Sequence, residues 1–203
     1  MGSLMELRRR MIAGIPDYLQ LPSAYTRIPY ITADGNQVIR STYLPVQYDE
    51  FHIRYKGQSQ SGTLISAGNG TYQLVLIGGY SSTGWYYRYF SSTTASAAFD
   101  LLTNAWYDLD IDSDGTMHID GKSIRSAYEG PIDGTGPELY IAERRNWTGR
   151  YTGSIAEFSI KNSGEYKMYL IPCKRKLDGK VGMYDTISKE FLTSGRSDFI
   201  EGT

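Results

Sequence analysis

The sequence contains a single cysteine, two histidines and no clear excess of charge of either sign. Because Cys173 has no second cysteine to pair with, neither an intrachain disulfide nor a cysteine-rich metal site can stabilise the fold. The 21 basic side chains nearly balance the 22 acidic ones, and a formal net charge of -1 gives no general attraction for nucleic acid. The sequence therefore predicts no nucleic-acid partner and a fold that depends on its core.

Long apolar runs are also missing. No stretch approaches the roughly 18 to 20 apolar residues that a membrane-spanning helix needs. The N-terminus reaches Arg8, Arg9 and Arg10 without the continuous apolar core of a secretory signal. We therefore expect a soluble chain, with neither membrane insertion nor a signal peptide.

The usual catalytic motifs are absent from the chain. There is no Gly-x-Ser-x-Gly nucleophile elbow, and the glycines do not form a phosphate-binding loop. Glu138 and Glu143 are the candidate pair for glycoside hydrolysis, but a separation of five residues places them on opposite faces of a strand. The sequence therefore favours a noncatalytic protein, and glycoside hydrolysis is the weaker alternative.

The abundant residues indicate a β protein. The chain contains 18 tyrosines and 22 glycines, and strand patterns recur between turn signals with no alternating helices, which is typical of antiparallel sheets packed face to face. In the clearest strand, Glu50–Lys56, we expect Phe51, Ile53 and Tyr55 on the buried face, which makes His52 a surface residue beside charges rather than a catalytic base. Further strands are predicted at Val38–Leu44, Thr63–Ala67, Tyr72–Ile77, Trp85–Phe90, Trp106–Ile111, Met117–Asp120, Leu139–Glu143, Ser154–Ile160 and Tyr166–Ile171.

One helix is predicted, at the N-terminus, where Gly14 can end it and Pro16 prevents its continuation. About three turns are marginal alone in water, so the apolar stripe must be buried. It either packs on its own domain or forms the stem of an oligomer, such as a trimer. The stripe consists of Leu4, Leu7 and Met11.

The segment from Asp110 to Gly115 matches the opening of a calcium-binding loop. The match fails at its twelfth position, which is Gly121 instead of glutamate. A hairpin with the three-residue loop 113–115 explains the segment better, because it brings Ile111 opposite Met117 and Leu109 opposite Ile119. The same register pairs Asp108 with Asp120, and this like-charged pair is the one candidate for binding a cation, with calcium as the cofactor to consider.

Two aromatic segments are candidates for ligand binding, since ring faces beside planar hydrogen-bonding groups suit sugars. In 84–90, rings occupy both faces of a strand, and one face must be core. In 144–151, an exposed loop carries one ring among arginines, although that ring can instead anchor the loop on the protein body. The predicted binding residues are Trp147, Arg144, Arg145, Asn146, Trp85, Tyr87 and Tyr89.

Four segments carry a resemblance to a known family. These are Asp34–Ile39, Gly153–Ile160, Leu170–Lys176 and Gly182–Asp185. Over residues 30–200 the chain resembles the laminin-G-like, concanavalin-A-like lectin/glucanase superfamily, and most of all a branch found in bacterial surface and phage or prophage tail proteins. The resemblance implies a jelly roll of two curved antiparallel sheets that is used for glycan binding or adhesion. The paired-glutamate strand of the glucanases is absent.

We therefore expect an N-terminal helix and linker over 1–29, followed by an all-β antiparallel sandwich, a concanavalin-A-like jelly roll, over 30–203. The expected function is noncatalytic binding of a cell-surface glycan or receptor, with a location on a virion or bacterial cell surface. The alternative is a structural virion protein, a fibre or decoration, that binds no sugar. A glycan array separates the two.

Overall fold

Every regular element in the described residues is a β-strand. The computed structural model describes residues 20–57, 62–68, 73–81, 84–90, 95–97, 104–125, 138–143 and 150–203. Within these ranges no helix is long and apolar enough to span a membrane. The predicted N-terminal helix falls outside them. The strands are β1 Tyr25–Arg27, β2 Ile31–Asp34, β3 Ile39–Arg40, β4 Glu50–Gly57, β5 Gly62–Gly68, β6 Gln73–Ser81, β7 Gly84–Tyr89, β8 Ala95–Ala97, β9 Trp106–Ile111, β10 Met117–Ile119, β11 Lys122–Arg125, β12 Leu139–Ile141, β13 Thr152–Asn162, β14 Glu165–Arg175, β15 Val181–Asp185, β16 Glu190–Leu192 and β17 Ile200–Glu201.

The strands form two antiparallel sheets. The larger sheet follows the order β11-β10-β9-β4-β13-β14-β15-β16, with β1 beside β14 and with β2 between β13 and β17. The smaller sheet follows the order β3-β12-β5-β6-β7-β8. The prediction of an all-β protein built from antiparallel sheets is confirmed.

Both sheets contribute to one hydrophobic core. The larger sheet supplies Phe51, Ile53 and Tyr55 from β4, each at most 2% exposed, as the sequence predicted. The smaller sheet supplies Ile65 from β5 and Ile141 from β12, both fully buried in the same cluster. Two sheets that share one apolar core have the arrangement of a β-sandwich. The outer face of the larger sheet is consequently left to polar side chains.

The predicted hairpin around residues 113–115 is confirmed. Ile111 pairs with Met117 and Leu109 pairs with Ile119, and all four side chains are buried. Gly115 has a φ of 84°, a left-handed conformation that glycine adopts without the steric cost a Cβ would bring. The turn therefore fixes the register that places Asp108 and Asp110 on the outer face of β9.

A bulge in β13 determines which of its side chains point outward. Ile155 pairs with Tyr55 and Glu157 pairs with Arg54, so Ala156 is the extra residue. Without it, the alternation of side chains along the strand would place Glu157 on the same face as the buried Ile155. The bulge therefore brings the Glu157 carboxylate to the outer face of the larger sheet.

Candidate functional site

The outer face of the larger sheet carries an ordered array of polar side chains. In one row across the strands, Asp110 of β9 pairs with His52 of β4, which pairs with Ser159 of β13. In the next row, Asp108 pairs with Arg54, which pairs with Glu157. Because cross-strand neighbours have Cβ atoms only about 5 Å apart, these groups act on one another directly.

A cleft of 320 Å³ opens on this face. We call it the sheet cleft. It holds four carboxylates against one ammonium group, and its field is therefore electronegative while the histidines are neutral. The cleft is lined by Glu50, Phe51, His52, Asp110, Ile111, Asp112, Glu157, Ser159, Lys161 and Tyr166.

A histidine–aspartate pair forms one wall of the sheet cleft. His52 Nδ1 lies 2.7 Å from Asp110 Oδ1, and the two side chains are 33% and 40% exposed. The hydrogen bond to Asp110 raises the pKa of His52, against an opposing effect of burial, and the charges of Asp110 and Glu157 raise it further. His52 is thus half-buried and held in place, and it lies beside charged groups as the sequence indicated.

The opposite wall combines the Glu157 carboxylate with the Tyr166 ring, and the neighbouring Tyr169 contacts both of them. The Tyr169 hydroxyl donates to Glu157 Oε1 at 2.7 Å, and the Tyr166 ring meets the Tyr169 ring edge-on with centroids 5.1 Å apart. Lys161 Nζ lies 4.6 Å from the centre of the Tyr166 ring. These contacts fix both rings, so the wall offers an apolar surface beside hydrogen-bonding groups.

The rim of the sheet cleft is acidic. His118 Nε2 lies 3.0 Å from Asp112 Oδ2, whose side chain is 59% exposed. Glu50 pairs in register with Lys161, and its carboxylate makes no hydrogen bond or ion pair with a side chain in the part of the chain that the structure describes. Asp112 and Glu50 are therefore accessible acceptors for a ligand hydroxyl or amine.

A second cluster, the Trp106 platform, lies on the same face and consists of Trp106, Tyr30 and Lys56. Lys56 pairs in register with Trp106. The two rings meet at 63° with centroids 5.3 Å apart, and Lys56 Nζ lies 5.3 Å from both ring centres. The Tyr30 hydroxyl donates to the Thr203 carbonyl oxygen at 3.1 Å. All three platform side chains are partly exposed.

The sequence-predicted binding residues are described only in part. Trp147, Arg144, Arg145 and Asn146 lie outside the described residues, as do the side chains of Trp85 and Tyr87, although β7 itself is described.

The Tyr89 side chain is described. It is half-buried, its ring meets Phe51 and Phe90 edge-on, and its hydroxyl donates to the Asp49 carbonyl oxygen at 2.8 Å. Its role in binding stays a prediction, as do the roles of the other predicted residues.

Asp108 and Asp120, the two carboxylates predicted as a candidate cation site, are held by contacts within the protein. The Asp108 backbone N–H donates to Asp120 Oδ1 at 3.0 Å, and Arg54 Nη1 lies 3.0 Å from Asp108 Oδ2. Across the described ranges, no group of three or more His, Cys, Asp or Glu side chains is arranged to hold a metal ion. An arginine thus already balances the charge of Asp108.

The two glutamates considered for hydrolysis flank β12, and each is paired with an arginine. Glu138 binds Arg40 at the surface, with its Oε2 2.6 Å from Arg40 Nε. Glu143 is 2% exposed and is bound by both terminal nitrogens of Arg196, at 2.5 and 3.0 Å. The geometry of these arginine–carboxylate pairs is typical of structural contacts.

The sequence placed His52, Asp108 and Asp110 at the surface, but it gave no binding role to Trp106, Glu157 or Tyr166, which lie on the same face. Trp106 was predicted only as the start of a strand, yet its even spacing from Asp108 and Asp110 already placed it on their face. The spacing of Glu157 along its strand does not place it on this face, because the bulge at Ala156 changes the alternation of inward and outward side chains. The Tyr166 ring depends on the pairing of β13 with β14, which the local pattern does not reveal.

Comparison with known proteins gives a likeness of fold. No family model matches the chain, and no curated protein matches it in sequence. A solved structure from Bacteroides ovatus, described as a putative carbohydrate binding protein, aligns with a TM-score of 0.57 at 13% identity over 87% of this chain. The chain spans 60% of the length of that protein. At this identity the likeness concerns the fold alone, and it agrees with a β-sandwich.

Proposed function

We propose that the protein is a noncatalytic glycan-binding module and that the sheet cleft is its binding site. The observation that carries the proposal is the sheet cleft itself. On one face it combines the fixed Tyr166 ring with carboxylate, imidazole and ammonium groups. A sugar presents hydroxyls around its ring and apolar C–H faces above and below it. Binding sites for such small ligands combine apolar surface with a few placed polar groups.

The finer assignment follows the resemblance noted in the sequence. The proposed module is a concanavalin-A-like jelly roll that acts in adhesion to a cell-surface glycan or receptor, as part of a phage tail or bacterial surface assembly. The described function of the Bacteroides protein supports the glycan ligand. Oligomerisation through the N-terminal helix stays a prediction, because that segment lies outside the described residues.

The proposal that the module is noncatalytic rests on the surroundings of its carboxylates. A glycosidase keeps one carboxylic acid protonated in an apolar setting, opposite a second carboxylate. In the sheet cleft, Asp110 faces an imidazole, Asp112 lies on the open rim, and Glu157 accepts a hydroxyl hydrogen bond. None of these environments is apolar, and we propose that these groups bind hydroxyls rather than transfer protons.

The electronegative field also limits the class of glycan. Glu50, Asp110, Asp112 and Glu157 would repel a uronic or sialic acid, and among the described residues that line the sheet cleft only Lys161 carries an ammonium group to oppose them. Like-charge juxtaposition costs several kcal/mol and so suppresses binding of a wrong partner. We therefore expect neutral or amino sugars among the ligands.

The test is a glycan array followed by calorimetry with the glycans that bind. We expect saturable binding to neutral glycans, and about a tenfold loss of affinity for Tyr166→Ala, since a buried aromatic contact is worth about 1–3 kcal/mol. Tyr140→Ala is the matched control, because Tyr140 lies on β12 of the other sheet. Asp110→Asn should also weaken binding.

Two results would contradict the proposal. A folded protein that binds no glycan on the array would favour the structural virion role instead. Release of new reducing ends from a bound oligosaccharide would overturn the noncatalytic assignment.

A further inference from the structure

We infer that the ligand is an extended oligosaccharide that runs along β9, with one part in the sheet cleft and another on the Trp106 platform. This inference rests on the proposed function and adds a second binding subsite to it. The two regions lie at opposite ends of one strand face, and the ion pair between Arg54 and Asp108 separates them.

The sheet cleft and the Trp106 platform are too far apart for a ligand that fills only the sheet cleft to touch both. Trp106, Asp108 and Asp110 alternate along β9 and share its outer face. At about 3.4 Å per residue, the four steps from Trp106 to Asp110 cover about 14 Å. One sugar ring in the sheet cleft therefore stops short of Trp106, whereas a chain of several linked rings reaches it.

The platform is built to receive the apolar face of a sugar ring. Its two rings are fixed by each other and by Lys56 Nζ, 5.3 Å from both ring centres. Gly202 packs against Tyr30 so closely that a Cβ on Gly202 would lie 2.3 Å from the ring. Rings held in place before binding lose little conformational entropy when a ligand stacks on them.

The surface between the two regions offers directional hydrogen bonds. Arg54 Nη1 donates to both oxygens of Asp108, at 3.3 and 3.0 Å. The Arg54 and Asp108 side chains are 49% and 37% exposed. The pair can therefore meet the hydroxyls of a middle sugar ring with donors and an acceptor, and it makes the path from cleft to platform continuous.

Chain-length dependence tests this inference. The probes are maltose, cellobiose, laminaribiose and N,N′-diacetylchitobiose, each with its hexamer, titrated by calorimetry. We expect at least one linkage whose hexamer binds about tenfold or more tightly than its dimer. Trp106→Ala should reduce the hexamer affinity to that of the dimer and leave the dimer affinity unchanged, while Tyr166→Ala should weaken both.

The variants are chosen to distinguish two failures. If Tyr166→Ala weakens the hexamer but Trp106→Ala does not, the second subsite is wrong and the proposed function stands. If none of these probes and no glycan on the array binds, both the second subsite and the proposed function are wrong. If Trp106→Ala strongly lowers the melting temperature, Tyr30→Ala is the alternative variant that disrupts the Trp106 platform. The control variant Tyr140→Ala should leave every affinity unchanged.

Discussion

Replacing Arg196 with alanine should destabilise the protein strongly, because it leaves the Glu143 carboxylate buried without its cation. Glu143 is 2% exposed, and the Arg196 side chain is 23% exposed. Breaking a fully buried ion pair from one side costs about 3–5 kcal/mol. Since water reaches part of the guanidinium, we expect the lower end, about 3 kcal/mol.

Urea denaturation at pH 7 measures this loss, and a thermal melt provides a second estimate. In a chain of this size, a loss of 3 kcal/mol corresponds to a fall in melting temperature of about 6–12 °C. Combining Arg196→Ala with Glu143→Gln should restore about half of the stability, because the uncompensated charge is gone while a polar group stays buried.

Arg40→Ala is the matched control. It removes the same kind of side chain from the other glutamate that flanks β12, but Arg40 is 63% exposed, and an exposed pair adds little to stability. Equal losses of stability for Arg196→Ala and Arg40→Ala would show that the buried Glu143–Arg196 pair contributes no more than the exposed Glu138–Arg40 pair.

Three other outcomes are expected. Proton NMR, with one resonance set for each of the two histidines, should give His52 a pKa above the ordinary 6.5, and Asp110→Asn should lower it, since the hydrogen bond to Asp110 is the main cause. Because the pKa of His52 is raised in the folded state, its stabilising contribution is complete below pH 6.5 and is lost as the pH rises through the folded-state pKa. A urea midpoint that rose with pH over this range because of His52 would contradict the expected direction. Burial raises the pKa of the Cys173 thiol to about 12, so a thiol reagent should label it only after denaturation, and rapid labelling of the native protein would show that the site is open. Chelators should leave the melting temperature unchanged, since internal contacts already hold Asp108 and Asp120; a loss of several degrees would reveal a bound cation.

Local patterns were sufficient to predict the strands whose two faces differ clearly. The β9 strand was predicted over its observed residues, because its alternation of apolar and polar residues is regular and the turn at Gly115 fixes its partner. The strand predicted at Val38–Leu44 is shorter, covering only Ile39–Arg40, since the Tyr43 N–H donates to Ser41 Oγ in a turn. Such a turn leaves no trace in hydrophobic alternation.

Strands that depend on distant partners escaped prediction. The Tyr25–Arg27 strand lies among prolines and is only partly buried, and it exists because Tyr25 pairs with Arg175 across the sheet. The same reason applies to the site. Sequence reasoning predicted Asp108 and Asp110 on one face, but it could not predict that Glu157 and Tyr166 would be brought beside them by a bulge and by strand order.

The order of strands in the larger sheet has a consequence for synthesis on the ribosome. β4 lies between β9 and β13, and β13 begins at Thr152, about a hundred residues after β4. Likewise β2, the second strand in chain order, pairs with β17 at Ile200–Glu201. The early strands therefore leave the exit tunnel with an unpaired edge and an exposed apolar face until most of the chain has been translated. Closing such long loops is slow, and during that interval the unpaired edge of β4 is open to pairing with another molecule.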